Sequence, residues 1–226
     1  MSESIFLPID LRVDTYALAV TGKGKSTPAQ EGDGAQLEGI LDAMTGPRGS
    51  VTLRLLRESD WQAVHSWARD PRVCRYQAWG PNTEEQTRGF VRDAVTAMQD
   101  RPQTRWVMAV VLEGAVVGNC ELNLRDSGEG EIAYAVHPDH WGKGLATTSA
   151  AQLVGFAFEE LGLHRVFATC DPRNTASSRV MQRLGMRFEG RKLRTVLIRD
   201  GWRDSDYYGL LVAEWRPPPQ GHPDHR

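Results

Sequence analysis

The chain has 226 residues, enough for one large domain or a domain with an appendage, and its 40% hydrophobic and 25% charged residues suit a globular fold in water. A net charge of -2 argues against a nucleic-acid binder, which is usually clearly basic. Cys74, Cys120 and Cys170 form no CxxC pair or zinc spacing and read as buried thiols of a reducing cytoplasm; no run reaches the ~18–20 apolar residues of a membrane helix, and no signal-peptide pattern opens the chain.

Residues 1–50 differ from the rest. "SIFLPIDLRV" alternates like a strand, "TGKGKSTPAQEGDGA" reads as a glycine-rich linker, and "QLEGILDAM" as a short helix. The segment is expected to be an appendage, suited to a dimer arm. Within it, "AVTGKGKS" satisfies a loose phosphate-loop pattern at Gly24, Lys25 and Ser26. A working phosphate loop runs straight into a helix, and here Pro28, Gly32 and Gly34 follow, so nucleotide binding is set aside.

From Val51 the pattern tightens. "VTLRLL" is a strand, and Ser59 is expected to cap a helix over "DWQAVHSWAR" that stops at Asp70-Pro71. Thr83 and Gln86 form a capping box for the helix "EEQTRGFVRDAVTAMQ". Two strands flank a turn at Glu113-Gly114, and "EGEIAYAVH" is a third. A helix is expected from Leu145 to Leu161, then a central apolar strand "HRVFATC". Asn174 opens a helix that ends at Leu184-Gly185, and a hairpin turns at Asp200-Gly201 before the tail 216–226. Strand, helices, three strands, helix, strand, helix and two strands give an α/β domain over 51–215. It has a mixed, mostly antiparallel central sheet with helices on both faces.

One turn stands out. In "HPDHWGKGLATTSA", Gly142 and Gly144 sit between a strand and a helix start. Free amides and the positive helix end there favour a phosphate, and glycines let it touch the backbone. Glycines in a tight strand-to-helix bend are the plain alternative.

"EIAYAVHPDHWGKGLATTSA" together with "HRVFATCDPRNTASSRVMQRLGMRFEG" resembles the GNAT N-acetyltransferase superfamily, in the branch of the ribosomal-protein N-terminal acetyltransferases, RimJ and RimL among them. The resemblance runs from about Val51 to Trp215. Trp141 stands where that family's loop usually has Gln or Arg. It implies acetyl-CoA as co-substrate. The pyrophosphate would lie on Gly142, Lys143, Gly144, Leu145, Ala146 and Thr147, and the pantetheine arm would pair with the strand edge at Ala135, Val136 and His137 beside a splayed neighbour. Asn174 and Ser177 would flank the arm, though Asn174 also serves as a helix cap.

The resemblance further implies acetyl transfer to a primary amine of a small molecule or a protein N-terminus by direct attack. Such chemistry needs a neutral amine, a stabilised oxyanion and a proton for the departing thiolate. Glu131 is the candidate base, with an exposed strand-start charge as its alternative. A backbone amide near Val136 is the oxyanion donor and Ser177 the proton donor, Tyr207 and Tyr208 being alternates. His137 and His140 read as structural, and the tail's His222, Asp224 and His225 as no metal site; no metal is expected. The competing class is a non-catalytic acyl-CoA-binding regulatory or sensor module. A cytoplasmic homodimer with no nucleic-acid or membrane partner completes the expectation.

Overall fold

The computed structural model describes residues 51–125 and 128–217. The strand, linker, phosphate-loop pattern and dimer arm read in residues 1–50, and the tail histidines, lie outside the described residues.

Seven strands form one sheet: β1 (Thr52–Leu55), β2 (Arg105–Leu112), β3 (Ala115–Arg125), β4 (Glu129–Val136), β5 (Arg165–Cys170), β6 (Arg187–Ile198) and β7 (Gly201–Leu211). They run in the order β1-β2-β3-β4-β5-β7-β6. Every pairing is antiparallel except β4 with β5. The helices are α1 (Trp61–Ala68), α2 (Pro71–Cys74), α3 (Glu84–Ala97), α4 (Leu145–Gly155) and α5 (Thr175–Arg183).

β2 shows why the sheet is a middle layer. Its run "RWVMAVVL" is apolar at nearly every position, and alternation sends successive side chains to opposite faces. Trp106, Met108 and Val110 join a core that includes Leu153, Val154, Ala157 and Met181 from the α4 and α5 side. Val107 and Ala109 join a second core with Val64 and Trp67 of α1 and Val91 and Ala94 of α3. The second core contains no residue of β5, β6 or β7, so on that face its packing stops at Ala135 of β4.

Local chemistry sets most boundaries. The Thr83–Gln86 capping box closes in both directions, at 3.2 and 2.9 Å. Glu113 and Gly114 adopt φ of 51° and 82°, the left-handed pair of a type I′ hairpin. At the end of α5, Met186 N donates to Met181 O and Gly185 N to Gln182 O, a Schellman closure around the left-handed Gly185.

Two expectations change, and one gains a second element. Ser59 is not a cap: it sits inside a 3-10 turn (Glu58–Asp60), and Asp60 precedes α1 with its carboxylate taken by Arg54 and by the amide of Arg57. The first helix does stop before Asp70-Pro71, and Asp70 then accepts from Arg72 N at 2.8 Å and starts α2. The helix from Leu145 is regular only to Gly155 and continues as a π turn over Phe156–Glu160, which keeps Phe156, Ala157 and Phe158 all buried.

Candidate active site

β4 and β5 are paired only at Glu129–Arg165, Gly130–Val166 and Glu131–Phe167. Beyond that point they separate, and a wedge opens between Ile132–Val136 and Ala168–Cys170. His137 N donates to Val117 O on β3 at 2.8 Å. Backbone groups alternate along an antiparallel strand, so the amides of Val136 and Tyr134 face the opposite edge, into the wedge. The last carbonyl on that edge, of Val136, accepts from the indole of Trp141 at 2.8 Å. That contact gives a structural role to the residue that departs from the family pattern.

The turn at the mouth of the wedge has the features its glycines imply. Gly142 and Gly144 adopt φ of 75° and 80°, and a Cβ at either would meet no atom within 4 Å. Backbone conformation therefore demands glycine here, and open space lies in front of the backbone. The chain's first intrahelical bond in α4 is Thr148 N to Gly144 O; the amides from Gly142 to Thr147 have no backbone partner among the described residues, and no side chain caps the helix. Unpaired amides at a positive helix end are a cradle for a phosphate group. Lys143 is exposed at its rim and Leu145 anchors the turn in the core. These features fit a pyrophosphate-bearing ligand.

Asn174 caps α5, its Oδ1 accepting from Ser177 N at 3.1 Å. Ser177 Oγ lies 2.9 Å from the hydroxyl of Tyr134, and Ser177 O is 3.1 Å from the same oxygen. Burial pushes the Tyr134 hydroxyl well above the usual tyrosine range, so it stays protonated and able to donate. Sequence reading missed Tyr134, because its partner lies 43 residues away and no local pattern joins them. Tyr208 is buried, its hydroxyl 2.8 Å from Ser178 Oγ.

Glu131 lies at the closed end of the wedge. It projects from the face shared with Ala133 and Ala135, opposite Tyr134 and Ser177. Its Oε2 accepts from Arg125, and among the described residues Oε1 has no hydrogen-bond partner. The two candidate proton-transfer groups thus sit on opposite faces of the sheet at one opening. On the Glu131 face, a pocket of about 490 Å³ is lined by Glu129, Arg165, Phe167, Glu189, Lys192 and Tyr207 among others. Phe167 belongs to the last β4–β5 pair, so the pocket meets the wedge at its vertex.

Three loops close the region beyond β5. Arg173 pairs with Asp171 at 2.7 Å and Asp200 at 3.0 Å, and Arg199 donates to the carbonyls of Trp79, Gly80 and Cys74. These bonds tie the β6–β7 turn to the segment after α2. His137 accepts from Asp139 N at 3.2 Å and packs edge-on to His140, which are turn-forming contacts. No group of three or more metal-ligating side chains occurs among the described residues. Burial raises the thiols of Cys74 and Cys170 to about 11 and that of Cys120 to about 12, which fits unreactive core cysteines.

The family model described as "Acetyltransferase (GNAT) domain" matches residues 50–187. An N-acetyltransferase of Bacillus subtilis, YnaD, described as uncharacterized, is 33% identical over 168 residues, covering 71% of this chain and 95% of the relative. A GNAT-family acetyltransferase structure from Bacillus anthracis aligns with a TM-score of 0.64 at 31% identity, over 74% of this chain and 97% of that one. RimJ of Mycobacterium smegmatis, solved in complex with CoA-disulfide, has the same fold, with a TM-score of 0.64 at 23% identity over 74% and 84% of the two chains.

Proposed function

The chain belongs to the GNAT acetyltransferase family, and from that premise we propose how its residues divide the work. The enzyme moves an acetyl group from acetyl-CoA, its co-substrate, to a primary amine, and the family includes RimJ- and RimL-like relatives. The observation that carries the site assignment is the row of unpaired amides from Gly142 to Thr147 at the mouth of the β4–β5 wedge. Those residues would hold the pyrophosphate, and the edge at Ala135, Val136 and His137 would align the pantetheine arm. Acetyl-CoA supplies an activated thioester. The Val136 amide donates to the carbonyl oxygen that gains charge. Asn174 orders the α5 start, and Ser177, with Tyr134 behind it, delivers a proton to the departing sulfur. Glu131 takes the proton from the amine on the other face.

The acceptor is an amine of a small molecule or a protein N-terminus. Thiol release from acetyl-CoA across an amine and peptide library, with mass spectrometry of the products, identifies it. Thiol release with no acetylated product in any arm would leave the acceptor assignment without support. We place the enzyme in the cytoplasm, as a homodimer with no nucleic-acid partner. Reduced, buried cysteines agree with the location, and no described helix is long and apolar enough to cross a membrane. Sedimentation velocity tests the dimer.

The same reading assigns residues 1–50 to an appendage, 51–215 to the catalytic domain and 216–226 to a tail. A chain starting at Gly49 is expected to bind acetyl-CoA with the affinity of the whole protein. It keeps Val51, whose side chain is buried and whose carbonyl accepts from Gln152 of α4 at 2.8 Å. Isothermal titration of both chains checks this, and a failure to fold or bind would move the boundary into residues 1–50.

A further inference from the structure

The pocket beside the vertex carries an uneven charge pattern. Arg165 is shared by two carboxylates: Nη1 lies 3.0 Å from Glu129, and Nη2 donates to Glu189. One guanidinium against two carboxylates leaves negative charge in excess at that end. Arg165 also covers the face of Phe167, its Cζ 5.4 Å from the ring centroid. Phe167 in turn stacks on Tyr207, with centroids 6.4 Å apart and planes 13° from parallel. Phe167 pairs with Gly209 and Lys192 with Ser205, so Lys192 lies beyond Tyr207 along β7; its Nζ is 4.2 Å from the Tyr207 centroid and has no carboxylate partner among the described residues. The neighbouring Arg191 is already committed to Asp206 at 2.6 Å. The lining therefore runs from surplus negative charge, across an aromatic surface, to an unpaired cation.

The position of this lining matters. The phosphate cradle is at the open mouth of the wedge, and an arm laid along β4 from there points its far end toward Glu131 and Phe167. An amine in the pocket would meet the thioester at the vertex. Resting on the acetyl-CoA assignment above, we propose that the acceptor is a primary amine joined through a short apolar or aromatic body to an acidic group. The ammonium is drawn to the Glu129–Glu189 end beside Glu131. The apolar body lies on Phe167 and Tyr207, and the acidic group meets Lys192. A polyamine fits poorly, because its second ammonium would face Lys192.

The test uses the full chain, acetyl-CoA, and two amines that differ only in the acid, benzylamine and 4-(aminomethyl)benzoate, with spermidine as the cationic comparison. The expected order of kcat/KM places the carboxylate-bearing amine about fivefold above benzylamine, and spermidine below both. Lys192→Glu should reverse the ratio of the two aryl amines, and Lys192→Met should bring it near one. Lys192 is exposed, so neither change disturbs the core. Equal rates for the aryl amines, a ratio unmoved by Lys192→Glu, or spermidine as the best acceptor would each overturn the acceptor class. So would acetyl-CoA binding, seen by calorimetry, with no amine acetylated; that outcome leaves the cofactor assignment standing. Failure to bind acetyl-CoA at all would overturn both.

Discussion

Gly144→Glu is expected to remove most acetyl-CoA affinity and leave the fold in place. The residue has φ of 80°, so any side chain there carries a left-handed backbone cost of roughly 1–2 kcal/mol. That is small against the ~5–15 kcal/mol stability of a typical domain. Its Cβ meets nothing within 4 Å, so no packing is displaced. The carboxylate lands among the unpaired amides at the start of α4, where the helix dipole favours a negative charge. The same attraction that would hold a pyrophosphate then holds the side chain, and the two anions exclude each other. Isothermal titration should show a Kd raised by at least ~10²-fold, with a circular dichroism melt within a few degrees of wild type. Gly144→Ala separates the causes: it bears the backbone cost without the charge and should retain most of the affinity. Undiminished binding by Gly144→Glu would remove the turn from the cofactor site.

This loop was legible in the sequence because its chemistry is local: two glycines at the junction of a strand and a helix leave few backbone options. The capping box at Thr83, the type I′ turn at Glu113-Gly114 and the closure at Gly185 are legible for the same reason. Ser59 misled because a hydroxyl before a helix looks like a cap, whereas Arg54 and the Arg57 amide had already fixed Asp60 one residue later. The π turn at Phe156 was hidden because an apolar run continues unbroken through it. The site's finer geometry depends on distant partners. Tyr134 and Ser177 meet only when α5 packs beside the wedge, and the Glu129–Arg165–Glu189 group draws on three strands. How soon β4 leaves β5, after three residue pairs, is a property of the twisted sheet and has no signature in either strand alone.

Glu131→Gln should slow turnover by ~10²-fold at pH 7, the lower range for proton transfer by a positioned group. Glutamine preserves shape and length but accepts no proton. The site argues for a carboxylate with work to do: it stands at the wedge vertex, on the pocket face, with Oε1 lacking a partner among the described residues. Its side chain is 20% exposed, open enough for a water to carry the proton between amine and carboxylate. Losing the charge frees Arg125, whose side chain is 34% exposed and can turn to solvent, so the fold and the acetyl-CoA Kd should stay near wild type. The pH dependence distinguishes the possible roles. An α-amino group with a pKa near ~8 is about a tenth neutral at pH 7 and mostly neutral at pH 9. If Glu131 is the base, the variant's deficit therefore shrinks as pH rises, because the amine increasingly arrives deprotonated. A deficit that stays constant from pH 7 to 9 means that Glu131 positions the acceptor without taking its proton. Superimposable profiles mean that it only balances Arg125, and the proton leaves by another route.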